Sequence, residues 1–409
     1  MKKTLLCICR LIPALTFIFS GIVKAIDPVG GAVKFEDYFV AFGMDALAPL
    51  ALGLSIALAS LEFLIGFFLL CKLYMRITSL AALIMTAFFT LLTLYIAIFN
   101  PVSDCGCFGD AIKLTNWETF GKNVILMAAV FFMFKFRNSY ENRYTVLANA
   151  TTAIIALVAI ISFSVYNYRH LPVIDFRPYK TGTNIPAGMR IPEGAEQPEY
   201  ETLFILEKDG VRQTFNVDNY PYDDESWVYV DSETKVIKEG YTPPLYNFSI
   251  FSAESGEEVH HELINTKGPV FLVISPDLAK ISDTVAGRIG ELAENARIKN
   301  ISFHIVTASG NDAMENFDKA NGLMLSYLQA DETLIKTIIR SNPGLVLLYD
   351  GTVAGKWHYN DLPEVSILEN PLSYALTQSI SCRSRLIIWL CIAGVLLIPL
   401  IIFRSKTTK

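Results

Sequence analysis

The residues best suited to chemistry are two cysteines in the loop 104–110, where a single glycine separates Cys105 from Cys107. An extended i, i+2 spacing lies near the upper limit for a disulfide, and Gly106 lets the backbone tighten. A ring that small would be strained and therefore easily reduced. The spacing predicts a redox-active Cys-x-Cys pair. An inert structural loop and a metal site are the rival interpretations, although zinc prefers four ligands and no histidine or third cysteine lies nearby in the sequence.

Four charged residues bear on this pair. Asp104 and Asp110 bracket the cysteines, and their negative charge is expected to raise the pKa values of both thiols. Glu62 lies midway along an apolar run, where an isolated carboxylate is costly and usually faces a partner or a cavity. Lys24 ends the first apolar run and either pairs with Glu62 or extends to the membrane interface. We therefore treat Glu62 and Lys24 as functional candidates, with a helix-pinning contact as the alternative role.

The composition indicates a membrane protein. Of 409 residues, 52% are hydrophobic and only 18% are charged, which is too apolar for an ordinary soluble protein. The net charge of −6 provides no basic patch for nucleic acid. The sequence thus predicts the lipid bilayer as a partner and excludes nucleic acid.

Six apolar runs approach the roughly 20 residues that cross a bilayer. They cover residues 11–26, 49–70, 77–99, 120–136, 146–166 and 386–403. Basic residues collect in alternate loops, and such loops face the cytoplasm. This pattern predicts that both termini are cytoplasmic. It also places the cysteine loop and the long segment 167–384 together on the opposite side of the membrane.

The long segment divides by its patterning. Residues 167–240 predict a linker and a small β-rich part, with a hairpin of strands 201–207 and 211–217 and a further strand at 227–230. Residues 241–362 alternate between strand and helix patterns, which predicts an α/β domain with a mixed sheet. Its predicted strands cover residues 244–250, 270–274, 301–306, 324–328, 343–349 and 353–358, and its predicted helices 277–295, 312–321 and 331–340.

The N-terminal residues 1–140 contain several residue patterns that occur together in one known family. These are Phe19-Ser20-Gly21, Lys24, Glu62, Gly66 and Cys105-Gly106-Cys107-Phe108-Gly109. In these residues the chain resembles the DoxX family, in the branch that includes the methylamine-utilisation protein MauE. The resemblance implies a four-helix membrane bundle and a link to periplasmic disulfide or electron-transfer chemistry, in which MauE helps to mature a disulfide-rich dehydrogenase.

A second resemblance concerns residues 241–362. Pro343 follows Ser341 and Asn342 where a thioredoxin-like fold of the TlpA and peroxiredoxin type has its cis-proline. After the strand 270–274, where that fold carries Cys-x-x-Cys, this chain has Ser-Pro-Asp-Leu-Ala-Lys at 275–280. Without a thiolate there is no nucleophile for thiol–disulfide exchange. We therefore predict a degenerate, redox-silent domain that serves for docking.

Together these features predict a multi-pass α-helical membrane bundle with an extracytoplasmic α/β thioredoxin-like domain. The bundle comprises a DoxX-like four-helix part and two further spans, at 146–166 and 386–403. The predicted function is to support the maturation of an exported client, with Cys105 and Cys107 as the thiol–disulfide or electron-transfer pair. The predicted location is the bacterial cytoplasmic (inner) membrane, with the large domain on the periplasmic side. Whether the protein is itself an enzyme stays open.

Two other functions also stay open. One is a non-catalytic scaffold or binding module with a structural Cys105–Cys107 bridge, and the other is a small-molecule carrier that uses Glu62. No cofactor is evident from a motif, and a quinone is compatible with the chemistry without being indicated by the sequence. A periplasmic client or redox partner is implied by the leading interpretation alone.

Overall fold

The computed structural model describes most of the chain. The described residues are 2–102, 104–140, 144–196, 199–208, 211–222, 224, 226–238, 240–245, 247–395 and 398. Along the chain a helical membrane part comes first, followed by a small antiparallel sheet, a larger mixed sheet and a final helix.

The membrane part is built from six helices. They are α1 (Lys2–Ile26), α2 (Pro28–Ala41), α3 (Ala51–Cys71), α4 (Met75–Phe99), α5 (Asn116–Lys135) and α6 (Val146–Arg169). Within the described residues, five segments are long and apolar enough to cross a bilayer: α1, α4, α5, α6, and α3 together with the 3₁₀ turn before it. These confirm the first five predicted spans, and the protein is a multi-pass membrane protein.

The sixth predicted span is described only in part. Helix α12 (Pro371–Val395) includes the beginning of the run 386–403. Residues 396–397 and 399–409, and with them the C-terminal part of the predicted span, lie outside the described residues.

Helix α2 was not predicted. Asp27 caps it, because its carboxylate accepts a hydrogen bond from the Gly30 amide at 2.8 Å, and Pro28 occupies the first helical turn. Proline is favoured there because its fixed φ suits a helix and its missing N–H would have no partner in any case. The chain therefore turns directly from α1 into α2.

Helices α1 and α3 pack unusually closely. A Cβ atom added at Gly21 would lie 2.5 Å from the Phe63 nitrogen, and one at Gly66 would lie 2.6 Å from the Ile18 nitrogen. Small residues at such a crossing let two backbones approach each other inside a membrane. This contact brings the C-terminal half of α1 against the middle of α3.

The small sheet agrees with the predicted hairpin. Strands β1 (Glu199–Lys208) and β2 (Val211–Phe215) pair antiparallel, and β3 (Val228–Lys238) pairs with the other edge of β1. The third strand is longer than the predicted 227–230 because its register with β1 extends to Lys238. The turn residues 209–210 lie outside the described residues.

The larger sheet has the strand order β4-β7-β6-β5-β8-β9. Its strands are β4 (Phe251–Ser252), β5 (Pro269–Ser275), β6 (Ser302–Thr307), β7 (Tyr327–Gln329), β8 (Gly344–Tyr349) and β9 (Thr352–His358). Strands β5, β6 and β7 run parallel, whereas β8 is antiparallel to both β5 and β9. The predicted α/β region with a mixed sheet is confirmed.

Short helices cover both faces of this sheet. They are α7 (Ile185–Met189), α8 (His260–Asn265), α9 (Asp283–Ile298), α10 (Asn311–Asn321) and α11 (Glu332–Ile338). One apolar cluster involves α8 and α11, and a second involves α9, α10 and Trp357. Strand β5 is buried along nearly all of its length, which is typical of a strand covered on both faces.

One predicted element of this region was wrong, and another begins later than predicted. No strand forms within the described part of 244–250, because Pro243 and Pro244 provide no N–H for a ladder and the apolar Leu245 and Phe248 are buried without strand pairing. The helix predicted from residue 277 begins only at Asp283. Before it, Asp277 caps a separate 3₁₀ turn by accepting a hydrogen bond from the Ala279 amide.

Candidate functional site

The loop after α4 carries the predicted cysteines. The sulfur atoms of Cys105 and Cys107 lie 3.1 Å apart, and both residues are free thiols. Between them Gly106 has a φ of 66°, a left-handed conformation that glycine adopts without penalty. A Cβ atom there would also approach the Lys34 Cγ to 3.0 Å. Glycine at this position therefore lets the two thiols meet.

Lys24 connects Glu62 to this loop. Its Nζ donates hydrogen bonds to both carboxylate oxygens of Glu62, at 2.8 and 2.9 Å, and to the Cys107 carbonyl oxygen at 2.9 Å. Ser20, one turn earlier in α1, donates to the same carbonyl at 2.7 Å. The Lys24 and Glu62 side chains are only 11% and 5% exposed. Lys24 thus pairs with Glu62 inside the bundle instead of extending to the interface.

Helix α2 supports the loop from the other side. The Tyr38 hydroxyl donates to the Cys105 carbonyl oxygen at 3.1 Å. The Lys34 Nζ lies 3.1 Å from an oxygen of Asp104, whose other oxygen accepts from the Gly106 amide at 2.8 Å. Sequence reasoning missed both α2 residues. Their i, i+4 spacing after an Asp-Pro helix start is the signal that could have found them.

The electrostatics distinguish the two thiols. The pKa of Cys107 is lowered, first by the hydrogen bond from Cys105 and then by the nearby ammonium groups of Lys122 and Lys24. The pKa of Cys105 is raised by the same hydrogen bond and by burial. Cys107 is therefore the thiol that ionises first, and thiolate is the nucleophilic form of cysteine.

The sequence-based expectation that the flanking aspartates raise both thiol pKa values is wrong for Cys107. Asp104 is paired with Lys34, as described above, and Asp110 lies 3.3 Å from the Arg340 guanidinium. Because a cation accompanies each carboxylate, neither presents an uncompensated negative charge to the thiols.

Both thiols line a cavity of about 480 Å³ inside the bundle. Its wall consists of α1 to α5 together with the cysteine loop, and most of its surface is apolar. Lys24, Glu62 and Tyr38 line it as well. The structure thus brings four of the five sequence-predicted site residues together at one cavity.

The fifth, Pro343, belongs to the larger sheet region. Its peptide bond with Asn342 is cis, the geometry predicted for it. The Ser275 hydroxyl, at the end of β5, donates to the Asn342 side-chain oxygen at 2.6 Å. Arg340, three residues before Pro343, lies 3.0 Å from Asp27 and 3.3 Å from Asp110. The proline loop therefore lies against the membrane bundle beside the cysteine loop.

Comparison with known proteins gives two partial matches. Residues 200–239 match the model of a domain of unknown function (DUF8463), which covers the small sheet. No curated protein and no solved structure was found to match the chain. Residues 2–136, which hold α1 to α5 and the cysteine loop, match the model of the family described as methylamine utilisation protein MauE.

Proposed function

We propose that this protein performs thiol–disulfide exchange at the outer face of the bacterial cytoplasmic membrane, in support of the maturation of an exported client. The observation that carries the proposal is the contact of the Cys105 and Cys107 sulfurs at 3.1 Å, with Cys107 the more readily ionised. The match to MauE supports an accessory, maturation-related role. The DoxX-like character of the bundle is part of the same proposal.

The exchange follows from the two thiols alone. The Cys107 thiolate attacks one sulfur of a client disulfide, so that a mixed disulfide forms and the second client sulfur leaves and takes up a proton. The Cys105 thiol then loses its proton and attacks Cys107, which releases the first client thiol and closes the Cys105–Cys107 bond. The sulfurs approach from 3.1 Å to a bond of roughly 2.05 Å. In reverse, the closed pair oxidises a client dithiol.

The backbone contacts prepare the loop for this exchange. Lys24 and Ser20 hold the Cys107 carbonyl, and Tyr38 holds the Cys105 carbonyl. A backbone fixed at both cysteines keeps their side chains on the same side of the loop while the bond opens and closes. Glu62 keeps Lys24 in place through two hydrogen bonds.

The larger sheet region is, in this proposal, a degenerate thioredoxin-like domain that docks a client and has no redox chemistry of its own. Support comes from the order of its central strands, from the cis-proline at Pro343, and from Ser275 where the first cysteine of that fold would stand. Its contact with the cysteine loop through Arg340 supports a location of both on one side of the membrane. A periplasmic location would supply the oxidising conditions in which disulfides persist.

Trapping the mixed disulfide tests the proposal. In the full-length protein in membranes, Cys105→Ser removes the resolving thiol, so glutathione disulfide should leave a stable glutathione adduct on Cys107, detected by mass spectrometry. Cys107→Ser should give far less adduct, because burial by itself raises the pKa of Cys105 and keeps this thiol protonated even without its hydrogen bond to Cys107. Cys7→Ser is the matched control, because Cys7 is an exposed cysteine of α1 and its substitution keeps the pair intact. A wild-type pair that stays in one redox state under both reductant and oxidant would favour the scaffold function instead.

A further inference from the structure

The cavity beneath the cysteine loop has the size of a small-molecule site. Its volume of about 480 Å³ exceeds by far the roughly 30 Å³ that one water molecule occupies, and sites for cofactor-sized ligands span roughly 300 to 1,000 Å³. Aromatic and aliphatic side chains provide most of the wall, among them Phe17, Phe35, Phe39, Leu58, Phe89 and Leu92. Such a wall favours a largely apolar occupant.

The polar groups of the cavity gather where the cysteine loop closes it. Cys105 and Cys107 lie in that part of the wall, together with the hydroxyl of Tyr38, which bonds to the loop. The ammonium groups of Lys24 and Lys122 line the same end: the first donates to the Cys107 carbonyl, and the second lies 4.4 Å from the centre of the Phe108 ring. The Glu62 carboxylate lines this end too and balances the charge of Lys24, so the positive charge beyond that pair is that of Lys122. An occupant would thus meet the Lys122 ammonium group and two thiols at one end and an apolar wall elsewhere.

The cavity also reaches the lipid-facing surface of the bundle. Leu54 and Leu61 of α3 and Phe88 of α4 belong to its wall, yet they are 39%, 49% and 60% exposed. The exposed surface of membrane-spanning helices faces hydrocarbon. A molecule dissolved in the bilayer therefore has a route to the thiols that does not pass through water.

We propose that this cavity binds a quinone, with its ring at the Cys105–Cys107 end and its isoprenoid tail leaving past Leu61 and Phe88 into the bilayer. This inference rests on the proposed function and names the electron partner of the same thiol pair. A quinone combines the required properties: an apolar tail, a flat ring of suitable size, and two carbonyl oxygens that accept hydrogen bonds at the polar end.

The electron transfer is balanced by the quinone itself. Two S–H bonds break and one S–S bond forms between Cys105 and Cys107, which releases two electrons and two protons. The quinone takes up both electrons and both protons and leaves as a hydroquinone. The positive charge of Lys122 stabilises the negative charge that develops on the quinone oxygens before protonation, whereas the charge of Lys24 is balanced by Glu62.

The test uses the full-length reduced protein in lipid nanodiscs without oxygen. With decylubiquinone as the probe, we expect one quinone reduced for every two thiols lost, followed by quinone absorbance and by alkylation of the remaining thiols. Ala57→Trp places an indole at an exposed position of the cavity wall, on the same face of α3 as Leu54 and Leu61. It should slow the reaction about tenfold or more, a loss of ~1.4 kcal/mol. Ala128→Trp, on an exposed position of α5 outside the cavity wall, is the matched control and should react like wild type.

The outcomes separate this inference from the proposed function. Diamide, a water-soluble thiol oxidant, should oxidise the Ala57→Trp and wild-type pairs at the same rate. If diamide closes the pair but decylubiquinone does not, or if Ala57→Trp leaves the quinone rate unchanged, the quinone site is refuted while thiol exchange stands. If neither oxidant closes the pair, the proposed function fails too.

Discussion

Glu62 is placed inside an apolar helix where Lys24 meets it, and the same lysine holds the carbonyl of Cys107. The pair is therefore both a contact between α1 and α3 and a support of the loop. Because both side chains are almost fully buried, removing either one would leave the other as an uncompensated charge.

Substitutions at Glu62 should reveal this dependence. Glu62→Leu is expected to destabilise the protein by about 3 kcal/mol, because it leaves the Lys24 charge buried without a partner. Glu62→Gln should be milder, since its amide oxygen still accepts a hydrogen bond. Thermal unfolding in detergent measures both. The double variant Lys24→Met/Glu62→Leu is the control, and its loss of stability should be smaller than the sum of the losses in the two single variants. Strictly additive losses of stability would show that the two residues do not interact.

The two thiols should also differ in their dependence on pH. The pKa of Cys107 is lowered, so this thiol ionises at a lower pH than an ordinary thiol. Its thiolate is present above the titration midpoint and is lost as the pH falls through it. Iodoacetamide should therefore alkylate Cys107 before Cys105 near neutral pH. Lys122→Met should move the midpoint upward, because it removes a positive charge, whereas Lys113→Met should not. A wild-type midpoint at or above about 8.5, the value of a free thiol, would contradict this electrostatic assignment.

At the scale of elements, the apolar runs were predictable because each span repeats one signal over some 20 residues. Helix α2 was missed, since it is short and its position depends on the Asp27 cap and on packing against α3. With it, the contact of Tyr38 with the cysteine loop was missed too. The strand predicted at 244–250 failed for a related reason: buried apolar residues such as Phe248 produce the pattern of a strand without any pairing.

The contact between Arg340 and the membrane bundle lay beyond sequence reasoning altogether. Its partner Asp27 is 313 positions away in the chain, so no local pattern connects the two. The contact ties the Pro343 loop to the start of α2 and, through Asp110, to the end of the cysteine loop. We expect this connection to limit the opening of the cysteine loop.

Removing the arginine should test that connection. Arg340→Met is expected to speed hydrogen exchange at the amides of the loop 104–110 about tenfold, a local opening easier by ~1.4 kcal/mol. Exchange in the central strands β5 and β8 should not change. Arg297→Met, which removes an exposed arginine from the same domain, is the matched control. Equal exchange of the loop in both variants would mean that Arg340 does not restrain it.

At the scale of the whole molecule, the bundle and the larger sheet region meet at the cysteine loop, and the proposed function puts both on the periplasmic side of the membrane. A reporter active only outside the cytoplasm should therefore work when fused after Tyr220. The same reporter fused after Tyr74, between α3 and α4, should be inactive because that connection is on the other side. A cytoplasmic signal after Tyr220 would overturn the proposed topology and with it the proposed oxidising environment of the thiols.

The close crossing of α1 and α3 has a consequence for protein engineering. Lys24 follows Gly21 by one turn, and Glu62 precedes Gly66 by one turn, so the two glycines set the distance at which the charged pair meets. Grafting the cysteine loop onto another helical scaffold would therefore transfer the thiols without their support. A transplant that is to keep the loop geometry has to include both glycines, because any side chain at either position would drive the helices apart and separate Lys24 from Glu62.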